Sequence, residues 1–399
     1  MLKVLQIVNR FNLGGPTYIA ANLAKHLSPD FKTLLIGGSN DETEDSSVFI
    51  PKEMGIRPFI IPEMKRELNP KNDFIAYHKI KSIIKKFKPD IVHTHASKAG
   101  LLGRRAAQRL GVPVILHTFH GHVFHSYFGK SKSMTFQMVE KQLAKISNRI
   151  IAISESQKKE LCDIYEIADE DKITVVPVGI DLEKFKINRQ DKRQAFRQKY
   201  NLEKNEIAVG IIGRLVPVKN HELFLTAVKE ISAKTTKKIR FFIIGDGEQR
   251  EKLIEMAKGM NIDFSYNGQS TIRKSLLTFT SWIKDIDVAY AGLDVVALTS
   301  LNEGTPISLI EAQAANKPIV STNVGGIRDI VIDGDTALLS KNGNPKDFID
   351  NLHKVIEDDI LRFALAKNGY DYVCKRFNYQ TLAENMKKVY LNEYKLATS

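Results

Sequence analysis

The sequence contains few cysteines and no long apolar run. Its 399 residues include only Cys162 and Cys374, far apart and without a CxxC pair, which excludes a disulfide framework or a zinc ribbon. No stretch approaches the roughly 20 apolar residues of a membrane-spanning helix, so any membrane contact should be peripheral. The first apolar run ends at Asn9 and Arg10, which predicts a strand rather than a signal peptide. These features together predict a cytoplasmic protein.

Acidic residues are scarce in one part of the chain. The formal net charge is +13, and between Lys65 and Lys145 sixteen Lys and Arg stand against four Asp and Glu. Such an excess is either a solvated surface that keeps the protein soluble or a face for anionic lipid or a phosphorylated acceptor. A non-catalytic module that binds nucleic acid or membrane is one alternative, but it leaves the second half of the chain unexplained.

Short apolar runs alternate with helical patterns along the whole chain. This alternation is typical of parallel βαβ units and predicts an α/β protein. Strands are predicted at 4–8, 33–36, 90–93, 112–117, 149–153, 173–176, 207–212, 238–244, 294–298 and 318–321. The charged segment 181–204 separates two series of units and is interpreted as a linker. We expect two Rossmann-like, doubly wound domains at 1–185 and 186–375, and a final helix at 376–399 that packs back on the first domain.

Two glycine-rich elements follow predicted strands. Gly14 and Gly15 come after the first strand, with Pro16 where a helix would begin. These glycines either let the backbone approach a phosphate at the helix N-terminus or form a plain tight turn. The element 245–250 has Arg250 in place of the third glycine of a dinucleotide fingerprint, so NAD binding is not expected.

Two cations flank the turn after the first strand of the second domain. Arg214 directly follows Gly213, and Lys219 comes five residues later. Both lie at the carboxyl end of a strand, where open α/β sheets bind ligands, and they suit a diphosphate leaving group. The alternative is an exposed turn with two solvated cations.

Two carboxylates, Glu303 and Glu311, follow the apolar strand that ends at Leu298. A helix is predicted to begin near Pro306, which would leave the amides of the next two residues free for phosphate oxygens. We expect Glu311 to accept hydrogen bonds from a ribose diol and Glu303 from sugar hydroxyls. The alternative is that Glu303 only stabilises the helix dipole while Glu311 is solvated.

Taken together, these elements resemble a large family of retaining glycosyltransferases. The family has the GT-B fold, and it includes sucrose synthase and bacterial mannosyl- and N-acetylhexosaminyltransferases. The resemblance extends over nearly the whole chain and is carried by Gly14-Gly15, Gly213-Arg214 with Lys219, Glu303 with Glu311, and the runs 151–156, 176–181, 312–320 and 324–327. It implies two domains that face each other across a deep cleft.

The resemblance also implies a role for individual residues. Arg214 and Lys219 would hold the donor diphosphate, Glu311 the ribose and Glu303 the transferred sugar. His120 falls where the family places a histidine against the donor sugar. The catalytic residues would then be His120, Glu303, Arg214 and Lys219, and donor binding would also use Gly14, Gly15, Gly304, Thr305, Ile307, Ser308 and Glu311. Asn316 and Ser281 replace glycines that are usual in the family and leave the base of the nucleotide open.

A histidine-rich run surrounds His120 and allows two interpretations. His117, His120, His122 and His125 could be metal ligands, but no cysteine accompanies them and their spacing is that of a loop. His93 and His95, on a predicted buried strand, are interpreted as structural or acceptor-side residues. The aromatic and basic stretch from Phe119 to Phe128 either packs inward or faces a membrane or a saccharide.

The sequence thus predicts a retaining, metal-independent glycosyltransferase of bacterial-type surface glycan synthesis. The expected partners are a nucleotide-sugar, with UDP as the favoured base, a saccharide or lipid-linked acceptor, and an anionic membrane surface on the inner face of the plasma membrane. Neither a cofactor nor nucleic acid is expected. A sugar-nucleotide epimerase with the same architecture is a second alternative, and it would need no acceptor.

Overall fold

The chain forms two compact units, each built on one parallel sheet. The computed structural model describes residues 1–11, 15–40, 46–65, 67, 69–120, 130–266 and 274–399, with the backbone alone at 130–133. Unit 1 comprises Met1–Ile180 and Arg376–Ser399, and unit 2 comprises Asp181–Lys375. Both sheets have seven strands, all parallel and alternating with helices, which confirms the predicted α/β class.

The elements of unit 1 follow a βα alternation. Its strands are β1 (Leu2–Arg10), β2 (Phe31–Gly38), β3 (Phe59–Ile61), β4 (Ile91–His95), β5 (Val114–Thr118), β6 (Arg149–Ala152) and β7 (Ile173–Val175). Its helices are α1 (Gly15–His26), α2 (Phe49–Glu53), α3 (Pro70–Phe87), α4 (Ser97–Arg109), α5 (Lys130–Lys145), α6 (Glu155–Lys159) and, from the end of the chain, α14 (Tyr379–Thr398). The side chain of Asn69 caps α3 by accepting from the Asn72 amide at 3.1 Å.

Unit 2 repeats the pattern with a second set of strands and helices. Its strands are β8 (Ile207–Ile212), β9 (Ile239–Ile244), β10 (Phe264–Tyr266), β11 (Leu277–Ser281), β12 (Val295–Leu298), β13 (Ile319–Thr322) and β14 (Ala337–Ser340). Its helices are α7 (Arg189–Lys199), α8 (His221–Lys234), α9 (Arg250–Gly259), α10 (Ile286–Gly292), α11 (Ile307–Ala314), α12 (Pro345–Glu357) and α13 (Asp359–Arg376, whose last residue lies in unit 1). The buried faces of α8, α9 and α12 pack on this sheet.

The strand order of each sheet creates one crevice. The orders are β3-β2-β1-β4-β5-β6-β7 and β10-β11-β9-β8-β12-β13-β14, so the winding direction reverses between β1 and β4 and between β8 and β12. Ligands of doubly wound sheets bind outside the carboxyl ends of the strands at this reversal. A ligand of each unit is therefore expected near the segments after β1, β4, β8 and β12.

Four strands of the structure have no counterpart in the sequence prediction, namely β3, β10, β11 and β14. Three of them lie at sheet edges and have only three or four residues, too few for a clear pattern. The fourth, β11, alternates apolar residues with threonine, and its Thr278 and Thr280 are nevertheless fully buried. Period-two alternation indicates a half-exposed strand, so it misleads for a strand that is covered on both faces.

The interpretation of 181–204 as a linker is wrong. Its central part, Arg189–Lys199, forms α7, which packs against α10 within unit 2. The charged residues that suggested a linker form ion pairs instead. Arg193 and Arg197 contact the two carboxylate oxygens of Asp294 at 2.7 and 3.2 Å. Phe196, on the same helix, is 2% exposed.

Among the described residues, no helix is both long and apolar enough to cross a bilayer.

Candidate active site

The loop after β8 places Arg214 at the mouth of the unit 2 crevice. Two backbone hydrogen bonds join this loop to the neighbouring one after β9: Gly213 N donates to Ile244 O at 3.0 Å, and Leu215 N donates to Asp246 O at 2.9 Å. The Arg214 side chain is exposed, and no acidic residue in the described part of the chain pairs with it. A fixed backbone with a free guanidinium suits a bidentate contact to an anion.

The second glycine element supports this loop instead of binding a dinucleotide. Gly245 and Gly247 have φ of +147° and +157°, a region that side chains rarely adopt. A Cβ at Gly245 would stand 1.9 Å from Gly213 O, and one at Gly247 would stand 2.5 Å from Leu215 O. These glycines are therefore required by the close approach of two backbones.

Lys219 and Glu303 form an ion pair between the loops after β8 and β12. Lys219 Nζ lies 2.5 Å from Glu303 Oε1, and both side chains are largely shielded, with 20% and 9% exposure. The hydroxyl of Ser300 donates to the same oxygen at 2.5 Å. The backbones of the two loops are also joined, because Leu301 N donates to Val218 O at 2.8 Å. The ammonium of Lys219 and the hydroxyl of Ser300 thus both bind Glu303 Oε1. The other carboxylate oxygen, Oε2, is not used by these two contacts.

A glycine pair after β13 braces the Glu303 loop from behind. Gly326 N donates to Glu303 O at 3.0 Å. A Cβ on Gly325 would lie 1.9 Å from Glu303 O, and one on Gly326 would lie 2.0 Å from Gly304 O. Because no side chain fits in this contact, the run 324–327 fixes the position of the backbone at Glu303 and Gly304.

Helix α11 points its N-terminus at the same crevice edge. It begins at Ile307 after Pro306, as the sequence predicts, and no side chain caps it. The amides of Ile307 and Ser308 therefore have no partner within the helix, and they carry the positive end of its dipole. The Thr305 hydroxyl just before them is buried and has no hydrogen bond from the described residues. This group of donors fits phosphate oxygens.

Glu311 lies on α11 and is held by a residue that the sequence analysis missed. The hydroxyl of Tyr290, on α10, shares its one proton between Ser308 O at 2.8 Å and Glu311 Oε2 at 3.2 Å. Burial raises the pKa of the Glu311 carboxyl, and the nearby Lys184 ammonium and the Tyr290 hydrogen bond offset this only in part. Nothing in the sequence identifies Tyr290, since a buried tyrosine needs some partner but the pattern does not say which.

Both departures from the family's usual glycines lie at left-handed backbone positions. Ser281, at the end of β11, has φ of +56°, and Asn316, after the last turn of α11, has φ of +52°. Glycine is favoured there because it has no Cβ, and asparagine tolerates the same region. Asn316 thus terminates α11, because a left-handed residue just after the last turn stops the helix from continuing.

In unit 1, the residues after β1 are described only in part. Gly15 is the first residue of α1, whereas Gly14 lies outside the described residues. His120 follows β5, and its Nε2 lies 2.8 Å from His95 Nδ1. Burial lowers the pKa of His120 to about 3, so the imidazole is neutral at physiological pH.

The other histidines near His120 are bound into the sheet. His117 Nδ1 lies 2.8 Å from Thr94 Oγ1, and His93 bonds to Tyr390 and Thr118 at 2.7 and 2.6 Å. Across the described residues, no group of three or more His, Cys, Asp or Glu is arranged to hold a metal ion. His122, His125 and most of the aromatic stretch lie outside the described residues, and Phe119, at its start, packs inward with 2% exposure.

Comparison with known proteins follows the division of the chain. The sequence pattern of the family described as "Glycosyl transferases group 1" matches residues 192–372, and that of "Glycosyltransferase Family 4" matches residues 13–184. The chain is 33% identical to an Escherichia coli UDP-Gal:alpha-D-GlcNAc-diphosphoundecaprenol alpha-1,3-galactosyltransferase, with 84% of each chain covered. It is 28% identical to the Staphylococcus aureus capsular polysaccharide biosynthesis glycosyltransferase CapM, over 83% of this chain and 84% of CapM.

Solved structures share the fold at lower sequence identity. Anabaena HepE in complex with UDP and glucose superimposes with a TM-score of 0.80 at 18% identity, over 98% of this chain and 100% of HepE. Sucrose-phosphate synthase from Thermosynechococcus elongatus gives 0.81 at 20% identity, with complete coverage of both chains. The fold is therefore the two-domain GT-B fold that the resemblance implies.

Proposed function

Because this chain belongs to the glycosyl transferases group 1 family, and is therefore a glycosyltransferase, we propose that it moves a hexose from a UDP-sugar to a lipid-linked saccharide with retention of configuration. The observation that carries this proposal is the cluster of positive groups at the carboxyl ends of β8 and β12. There the guanidinium of Arg214, which pairs with no acidic residue among the described ones, and the ammonium of Lys219 follow β8, and the uncapped N-terminus of α11 follows β12.

Each part of the cluster has a distinct role toward the donor. Arg214 and Lys219 bind the diphosphate, and the amides of Ile307 and Ser308, with the open Thr305 hydroxyl, bind its oxygens. Glu311 accepts from the ribose through Oε1, since Tyr290 occupies its other oxygen. The name of the E. coli relative contains UDP-galactose, and HepE was solved with UDP, which supports a uridine donor.

The chemistry follows from where charge develops. As the bond between the anomeric carbon and the UDP oxygen breaks, negative charge grows on the diphosphate and the sugar gains oxocarbenium character. Fixed cations and helix dipoles stabilise that charge without rearranging during the reaction. The acceptor oxygen attacks the same face, and its proton passes to the leaving phosphate. Glu303 orients the sugar, because Lys219 and Ser300 fix its carboxylate from one side.

Unit 1 supplies His120 to the sugar and Gly15 to the phosphates, as the resemblance implies. It also binds the acceptor. The E. coli relative acts, by its name, on GlcNAc-diphosphoundecaprenol, and CapM belongs to capsular polysaccharide synthesis. These names support a polyprenyl-diphosphate saccharide as the acceptor class and surface glycan synthesis as the process.

A two-way screen tests the proposal. Purified protein is offered UDP-glucose, UDP-galactose, UDP-GlcNAc and GDP-mannose, each with and without a short-chain prenyl-diphosphate-GlcNAc, and release of nucleoside diphosphate is measured. We expect fast release only when a UDP-sugar and the acceptor are both present, with an α-linked product by NMR. An inverted anomeric centre would refute retention, and acceptor-independent conversion of the UDP-sugar would indicate the epimerase.

Transfer is expected to be independent of divalent metal. The reason is that Arg214, Lys219 and the N-terminus of α11 supply the charge stabilisation that Mg²⁺ supplies in other transferases. Turnover in EDTA should stay within about twofold of turnover in Mg²⁺. Loss of activity in EDTA that Mn²⁺ or Mg²⁺ restores would contradict this assignment of the leaving-group charge.

A lipid-linked acceptor lies in a membrane, so the protein needs a surface that binds the membrane. Helix α3 of unit 1 has the residues for such a surface. Lys85, Lys86 and Lys88 on this helix and at its end are exposed, and Lys81 is partly exposed. Phe74 on the same helix is 65% exposed. A helix that exposes cations and an aromatic ring fits an anionic membrane surface, where each cation contributes about 1 kcal/mol. We propose that this face docks the protein on anionic lipid.

Charge reversal tests membrane docking. Replacing Lys81, Lys85, Lys86 and Lys88 with Glu should release the protein from phosphatidylglycerol vesicles in co-sedimentation at low salt, while slow hydrolysis of the donor persists. A matched control replaces four exposed lysines of unit 2 with Glu, which gives the same net charge: Lys204, Lys229, Lys341 and Lys346. Equal pelleting of the two variants would show that only net charge matters, and would end the proposal for α3.

A further inference from the structure

A chain of buried polar groups runs from β1 to His120 in unit 1. His95 Nε2 lies 3.3 Å from Gln6 Oε1, and His95 Nδ1 lies 2.8 Å from His120 Nε2. Gln6 and His95 are fully buried. They reach each other because β1 and β4 are adjacent parallel strands, with Gln6 opposite His93 and Val8 opposite His95.

The chemistry of these groups sets the direction of every hydrogen bond. A glutamine Oε1 can only accept, so His95 Nε2 carries the proton and donates. A neutral imidazole has one N–H, which leaves His95 Nδ1 as an acceptor and makes His120 Nε2 the donor toward it. Burial holds the pKa of His95 well below its ordinary value and lowers that of His120 to about 3, so both rings are neutral and the argument applies.

The series of hydrogen bonds ends at His120 Nδ1, which is an acceptor without a donor among the described residues. With Nε2 protonated, His120 Nδ1 carries a lone pair, and this atom is buried without a hydrogen bond among the described residues. A buried acceptor without a partner is unfavourable, and a ligand hydroxyl that donates to it removes that cost.

We propose that Gln6 and His95 are positioning residues that hold His120 in the tautomer whose Nδ1 accepts a hydrogen bond from a hydroxyl of the donor sugar. This inference rests on the proposed function, in which His120 contacts that sugar. It extends the functional machinery of unit 1 to two residues that touch no substrate and that lie on two different strands.

The tautomer is measured in the ligand-free protein, which separates this inference from the choice of donor. The imidazole ¹⁵N signals of the ten histidines are recorded, and those of His120 are assigned from their loss in His120→Gln. We expect Nε2 to be protonated and Nδ1 to be bare. A protonated Nδ1 in the wild type would overturn the inference.

Two variants test the positioning role, and a third is the control. Gln6→Met keeps the side-chain shape but removes the acceptor, and His95→Phe removes the bond to His120; each should mix the two tautomers and lower kcat/KM about tenfold with UDP-galactose or UDP-glucose as donor. Thr94→Val breaks the neighbouring Thr94–His117 bond of β4 and should change neither reading. Slow transfer with an unchanged tautomer in Gln6→Met would overturn the positioning role. Wild-type transfer by His120→Gln would instead refute the sugar contact of the proposed function.

Discussion

Replacing Lys219 or Arg214 with alanine is expected to lower kcat/KM for transfer by at least about tenfold, because each loses a charge-assisted contact of about 1.5–3 kcal/mol to the diphosphate. The loss should be larger for Lys219→Ala. Its ammonium also holds Glu303, so the variant frees a carboxylate that repels the leaving group as negative charge develops. Steady-state kinetics with a saturating acceptor measures both variants.

A matched lysine separates this effect from general loss of charge. Lys252 pairs with Glu222 at 2.5 Å on the surface of the same unit, with 62% and 44% side-chain exposure. Lys252→Ala should keep wild-type turnover, since exposed pairs contribute little. All three variants should melt close to the wild type. Wild-type turnover by Lys219→Ala and Arg214→Ala would remove the diphosphate assignment.

The second large effect concerns the two carboxylates. Glu303→Gln should lower kcat more than it raises the donor KM, because its contact with the sugar tightens as the anomeric carbon becomes positive. Glu311→Gln should mainly raise the donor KM, because a ribose contact is equally strong before and during the reaction. Full progress curves at several donor concentrations separate the two parameters.

Coupling between neighbours sharpens the test. Glu303→Gln and Lys219→Ala should be strongly non-additive, since they share one ion pair. Tyr290→Phe removes the hydrogen bond to Glu311 and should reproduce a milder form of the Glu311→Gln effect. If Glu311→Gln lowered kcat and Glu303→Gln raised only KM, the roles of the two carboxylates would be exchanged.

Some of this site could be predicted because strand order alone determines it. The carboxyl ends of adjacent parallel strands share one edge, so Lys219, after β8, and Glu303, after β12, meet even though 84 residues separate them. The start of α11 at Ile307 was equally accessible, since Pro306 fixes the boundary. The first contact follows from the order of the strands in the sheet, and the second boundary follows from one local residue.

Other contacts depend on register and packing, which no local pattern records. Tyr290 reaches Glu311 only because α10 and α11 pack together, and Gln6 reaches His95 only because β1 and β4 pair in one particular register. The charged segment around Arg193 is indistinguishable from a linker until its partner Asp294 is known. The glycines at 245 and 247 follow the sequence pattern of a nucleotide motif, while their actual constraint is a second backbone.

The placement of α14 in unit 1 has a consequence for how the protein is made. All of unit 2 is synthesised before Tyr390 and Glu393, yet these residues bond to His93 and Arg149 of unit 1. Domains generally fold as units in the order of synthesis, but residues 1–180 of unit 1 lack the helix that buries Leu382 and Met386 until all of unit 2 has been synthesised. The unit whose synthesis begins first is thus completed last, and until α14 docks, the apolar surface that it covers is available to chaperones.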